Sequence, residues 1–172
     1  LKSWWRSKPE LHIFPHWNWK GKEGKEIPVT VYSNCEQVEL FLNGKSLGKK
    51  DMKINDRLDW KVNYEPGILE AHGFKNGNKI LAKKIETSGG PFSIQLTPDK
   101  NKIAADGSDV SIITIQINDK NGLMVPTANN KINFAIEGPG KIIGVGNGDP
   151  SSHEKEKFCE TIIKSNIEIL KE

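Results

Sequence analysis

The sequence predicts an all-β protein built as two tandem immunoglobulin-like β-sandwich domains. Three observations carry this. Apolar residues alternate with polar ones over many short runs, and a period of two places each set on one face of a sheet. Asn-Gly, the dipeptide best suited to a tight hairpin, occurs at 43–44, 76–77, 121–122 and 147–148. The run Thr87-Ser88-Gly89-Gly90-Pro91 is small, flexible and then stiff, and it divides the 172 residues into halves of the size of such domains.

The strands follow in order. Ile27, Val29 and Val31 alternate with Pro28, Thr30 and Tyr32; Val38, Leu40 and Leu42 alternate with Glu39 and Phe41. Leu58, Trp60 and Val62 alternate with Asp59 and Lys61, which predicts Trp60 in the core. Beyond the linker come Phe92, Ile94 and Leu96, then Ile113, Ile115 and Ile117, then Ile132, Phe134 and Ile136. The expected organisation is a lead-in over 1–19, a first sandwich over 20–88 and a second over 91–172. The tail, 154–172, has Phe158, Ile162, Ile163, Ile167 and Leu170 at nearly helical spacing, while a last strand at 161–164 fits as well.

Composition excludes several classes. With 35% hydrophobic and 27% charged residues the chain is globular, not disordered. Its net charge of +3 comes from scattered Lys, not from the basic stripe that nucleic acid would need. No apolar run approaches the ~20 residues of a membrane-spanning helix. Residues 1–12 lack the apolar stretch of a signal peptide and the chain opens on Leu1, so it is expected to be part of a longer protein. Cys35 and Cys159 are expected as two ordinary thiols.

Catalytic signatures are equally sparse. His12 and His16 would share a helix face, but Pro15 between them breaks that helix, and no Cys lies nearby to complete a metal site. There is no G-x-S-x-G elbow. Gly138-Pro139-Gly140 and the Gly-rich run 144–148 lack the Lys-Ser/Thr of a phosphate loop and read as turns. The 22 acidic residues show no pattern that pairs them and read as solvated charge. No catalytic, cofactor-binding or metal-binding residue is assigned, and no cofactor is expected.

The aromatic residues are the remaining candidates. Four of the five Trp lie before residue 20, two of them in "FPHWNW", residues 14–19. In an extended segment Trp17 and Trp19 point the same way and form a two-ring platform. Such a surface stacks on sugar rings or docks against another domain. A carbohydrate-binding module would add Tyr32 to it. Trp4 and Trp5 precede any strand signal.

The stretches "LHIFPHWNW", "GKEIPVTVYSNCEQVELFLNGKSLGKK" and "LDWKVNYEPGILEAHGF" resemble the region that follows the catalytic barrel in glycoside hydrolase family 2, the β-galactosidase-like enzymes, of the type common in Bacteroides-like bacteria. "VELFLNGKSLG", and "YEPG" preceded by Trp60, are specific to it. "DKNKIAADGSDVSIITIQINDKNGLMVP" and "NFAIEGPGKIIGVGNGDPSSHE" resemble that family's additional C-terminal immunoglobulin-like domain. The first of these also looks like bacterial surface-adhesin repeats, though no tandem repeat is present here. The resemblance implies that 1–19 are the remnant of a barrel end and a bridging segment, with His16, Trp17 and Trp19 as an interdomain surface. It implies a non-catalytic fragment whose partner is the catalytic barrel of the same polypeptide, acting on β-galactosides, and a periplasmic, cell-surface or secreted location. The tail departs from the family pattern: Cys159-Glu160-Thr161-Ile162 stands where a Gly and two closing strands belong, so the last strand is expected to be absent or degenerate.

Overall fold

The computed structural model describes residues 8–54, 56–147 and 153. Trp4, Trp5, Cys159 and the tail from Phe158 lie outside them. The chain forms two compact units, Leu1–Ala128 and Asn129–Glu172. Gly89 and Gly90 lie inside the first.

Among the described residues the first unit carries nine strands, and no helix occurs. They are β1 (Leu11–Phe14), β2 (Glu26–Ser33), β3 (Gln37–Leu42), β4 (Lys45–Asp51), β5 (Leu58–Asn63), β6 (Ile68–Lys75), β7 (Asn78–Glu86), β8 (Ser93–Pro98) and β9 (Ile113–Asn118). All pairings are antiparallel, giving sheets of order β1-β2-β5, β4-β3-β6-β7 and β8-β9.

The first two sheets bury their inner faces in one core. Ile27, Val29 and Val31 from β2 and Trp60 and Val62 from β5 meet Val38, Leu40 and Leu42 from β3 and Leu69 and Ala71 from β6. All but Leu69 and Ala71 are alternating positions read from the sequence, because a face that loses contact with water gains about 1.5–3 kcal/mol for each fully buried large aliphatic side chain. Pro28 is accommodated because β1 covers only Thr30–Ser33, so β2 has a single partner at Pro28. The edge strands β4 and β7 are mostly exposed and rich in Lys, which discourages pairing with another chain.

Two of the Asn-Gly dipeptides form the predicted hairpins. Asn43-Gly44 joins β3 to β4 with φ of 49° and 80°, and Asn76-Gly77 joins β6 to β7 with 50° and 76°. Positive φ at both central residues is the type I′ requirement. Asn43 does more than turn. Its Oδ1 accepts from the Ile68 N–H at 2.8 Å and its Nδ2 donates to the Pro66 carbonyl at 3.2 Å. The side chain therefore lies on Gly67, where φ is 139° and a Cβ would fall 1.9 Å from Asn43 Oδ1. The "FLNG" and "YEPG" stretches thus make one corner of the sandwich.

Beyond Pro91, β8 and β9 pair Ile94 with Ile117, Leu96 with Ile115 and Pro98 with Ile113, so one face of this sheet is apolar. In the second unit, Ile132, Phe134 and Ile136 are half-buried and their neighbours exposed. The predicted alternation is present there, but the backbone is not assigned as a strand. Alternation fixes which way side chains turn; a strand also needs a hydrogen-bonded partner.

Candidate functional site

Three of the five Trp fall within the described residues, and the structure distributes them differently from the predicted platform. The segment after β1 does not run straight: it bends at Pro15, where the Phe14–Pro15 peptide is cis, and again at Trp17. The Asn18 N–H donates to His16 Nδ1 at 3.2 Å, and Trp19 Nε1–H donates to the His16 carbonyl at 3.1 Å. Such local side-chain and backbone bonds compete with an extended conformation. The two indoles consequently part.

Trp17 enters the core and is 1% exposed. Its ring meets Tyr64 edge-on, with centroids 5.1 Å apart at 69°, and its Nε1–H donates to the Glu65 carbonyl at 3.0 Å. Trp19 stays half-buried against the core edge. His16 stacks on it at 4.8 Å and 27°, and Lys22 Nζ stands 4.9 Å from the ring centroid. The two-ring platform is therefore corrected: Trp17 has no free face, and Trp19 is already stacked. The partner expected to be missing for Trp17 is Tyr64 of this same chain. The sugar-stacking alternative loses its first ring by the same fact, while Tyr32 stands half-buried in β2.

What the motif does instead is grip the linker. Asn18 Nδ2 donates to Ser88 Oγ at 2.8 Å and to the Ser88 carbonyl at 3.2 Å, while the Ser88 N–H returns to Asn18 Oδ1 at 3.0 Å. Thr87 Oγ1 donates to the Trp17 carbonyl at 2.7 Å and accepts from the Gly67 N–H at 3.1 Å. From the other side Asp119, just after β9, accepts the Gly89 N–H at 2.8 Å. The other Asp119 oxygen accepts from Asn121 at 2.8 Å and Leu123 at 2.9 Å. The Gly89 N–H above all, with those of Leu123 and Asn121, holds the Asp119 carboxyl below the usual carboxylate range. Asn18 and Asp119 were not singled out in the sequence, and Thr87 and Ser88 were read only as part of a flexible linker. Asp119 opens "DKNG", an Asx-turn signal, but its reach to Gly89 is not a local property.

His16 carries a pH dependence. Burial lowers its pKa from the ordinary value of about 6.5, and its Nδ1 must stay unprotonated to accept from Asn18. The folded pKa lies below the unfolded one, so this contribution to stability is complete above pH ~6.5 and is lost as pH falls through the depressed value. Thermal melts from pH 8 to 5 should show a falling Tm that is shallower in His16→Asn, whose Oδ1 takes the place of Nδ1. Identical slopes for the two proteins would refute this.

Many of the described carboxylates are engaged in turns or in pairs with side chains of the same or a neighbouring strand. Asp59 accepts from Thr30 Oγ1 at 2.6 Å and pairs with Arg57 at 3.3 Å; Glu70 meets His72 at 2.7 Å. Backbone N–H groups of Ile112 and Ser108 lower the pKa of Asp99 and Asp106, and the Lys100 ammonium lowers that of Asp109. This keeps them ionised, the opposite of what a proton donor near neutral pH requires. Among the described residues no group of three or more His, Cys, Asp or Glu is arranged to hold a metal. No described helix is long and apolar enough to cross a membrane. Cys35 is a buried free thiol.

Residues 24–81 match the model of a domain of unknown function, DUF4982, and residues 94–164 match glycoside hydrolase family 2 C-terminal domain 5. The chain is 41% identical over 158 residues to a β-galactosidase, BoGH2A, of Bacteroides ovatus, covering 91% of this chain and 18% of that protein. It is 34% identical over 144 residues to a β-glucuronidase of Formosa agariphila, covering 81% of this chain and 14% of the relative. Among solved structures, a β-glycosidase from Bacteroides vulgatus superposes with a TM-score of 0.84 at 40% identity, over 91% of this chain and 20% of that one. A glycosyl hydrolase family 2 member from Bacteroides cellulosilyticus gives 0.84 at 39% identity, over 91% and 24%. The chain thus spans about a fifth of the length of proteins it matches along nearly all of its own, and it belongs to the C-terminal β-domain region of glycoside hydrolase family 2.

Proposed function

We propose that this chain is a non-catalytic β-domain region that supports the catalytic part of a β-galactosidase-like glycoside hydrolase. The observation that carries the reading is the coverage: 91% of this chain aligns with only 18% of the Bacteroides ovatus enzyme. Hydrolysis in the parent would proceed with retention through two carboxylates supplied outside these residues. The sheet orders β1-β2-β5 and β4-β3-β6-β7 support reading the first sandwich as an immunoglobulin-like domain with strands A-B-E and C′-C-F-G. We read residues 91–172 as a second domain of that class. The resemblance to Bacteroides-like enzymes also supports a periplasmic, cell-surface or secreted parent, which fractionation of the source cells would test.

The chain alone should hydrolyse neither chromogenic β-galactosides nor β-glucuronides at high protein concentration. Removing it from the parent should lower the parent's Tm. Turnover by the isolated chain that survives repurification and is lost on substituting one of its own carboxylates would overturn the proposal.

A further inference from the structure

We propose that residues 87–89 form a latched joint, closed by Asn18 on one side and Asp119 on the other, that fixes the β8–β9 sheet to the first sandwich. The composition of this stretch is that of a flexible connector, yet its polar groups are engaged from both directions. The Ser88 N–H, carbonyl and hydroxyl all meet the one carboxamide of Asn18. The next N–H, that of Gly89, is held by Asp119, whose remaining oxygen is fixed by its own turn. The chain then enters β8 directly, with the Phe92 N–H on the Asn118 carbonyl at 2.8 Å. Ser88 and Asp119 are 8% and 3% exposed, so these bonds are sheltered from competing water.

The geometry also shows that the glycines are not there for an unusual backbone. Neither Gly89 nor Gly90 has positive φ. A Cβ on Gly89 would stand 3.5 Å from Asp119 Oδ2, an ordinary contact, and one on Gly90 would meet nothing within 4 Å. A joint without left-handed backbone and with its amides held is a fixed spacer. Its rigidity depends on residues 70 positions upstream and 30 downstream. The joint belongs to this chain's own mechanics, whatever the substrate of the parent.

Amide exchange followed by NMR in the whole 172-residue chain tests the latch. In Asn18→Ala the Ser88 amide should exchange about five- to tenfold faster, the shift expected from losing one net hydrogen bond, while β2 and β3 stay protected. Asn18→Asp keeps the Oδ1 acceptor, so it should restore much of the Ser88 protection although it no longer donates. Asp119→Asn should release the Gly89 amide, and Gly89→Ala should leave both amides protected. In the Asn18→Ala, Asp119→Asn double variant, residual dipolar couplings of β8–β9 should shrink relative to those of β2–β3. Ser88 and Gly89 amides that exchange at free-chain rates in the unaltered protein would overturn the proposal, as would couplings unchanged in the double variant. Should Asp119→Asn unfold the chain, Asn18→Ala against Asn18→Asp decides alone, and equal Ser88 exchange in the two overturns the latch.

Discussion

Replacing Trp17 with Ala should destabilise the first sandwich by about 3–5 kcal/mol, the usual consequence of removing a large buried aromatic side chain. The ring is 1% exposed and edge-on to Tyr64, so alanine leaves a cavity between the lead-in segment and the end of β5. It also leaves the Glu65 carbonyl without its indole donor. Trp17→Phe separates the two effects: it refills part of the volume and forfeits only the hydrogen bond, a loss of about 1 kcal/mol for an ordinary intramolecular bond plus the unfilled volume. Urea unfolding of the three proteins, monitored by far-ultraviolet circular dichroism, measures both. A change below ~1 kcal/mol for Trp17→Ala would mean that the ring contributes no core packing, and the platform reading would have to return.

Trp60→Ala should be of similar size, about 3–5 kcal/mol, but with a different partition. Trp60 is 5% exposed and pairs with Val29 across the sheet, with Lys50 Nζ 4.7 Å from its ring centroid. Its Nε1 is buried and meets no acceptor among the described residues. A buried donor without a partner subtracts from what the ring contributes. Trp60→Phe should therefore lose less than Trp17→Phe, although the two positions bury the same side chain. Denaturant midpoints for the four Trp→Ala and Trp→Phe proteins compare them directly. If Trp60→Phe proves the more damaging, the indole nitrogen is doing useful bonding and this account of it fails.

The strands of the first sandwich were legible because period-two patterning and burial are the same fact stated twice. Val29, Val31, Val38 and Leu40 alternate in sequence and are all fully buried. The hairpins at Asn43-Gly44 and Asn76-Gly77 were legible for a local reason: few residues other than Asn and Gly tolerate positive φ. Tyr64, 1% exposed, is two residues past Val62 and continues the Leu58, Trp60, Val62 alternation; the sequence named it only within "YEPG", because its role as the partner of Trp17 depends on a contact across 47 positions. Ile132, Phe134 and Ile136 kept their alternation without an assigned ladder, since pairing depends on a partner that a single segment cannot specify.

By itself the sequence determined the all-β class, the inward faces of the strands, two tight hairpins and, through its motifs, the glycoside hydrolase family 2 relationship. Those are properties of residues near one another in the chain, where backbone sterics and side-chain alternation decide. The tertiary structure decided the fate of "FPHWNW" and of the linker. Trp17 and Trp19 could share a face only if the backbone between them stayed extended, and the bonds around His16 bend it. Thr87-Ser88-Gly89 reads as flexible because small residues leave the backbone free. Asn18 and Asp119 remove that freedom from positions far away in sequence, through hydrogen bonds that exist only once the strands have brought them together.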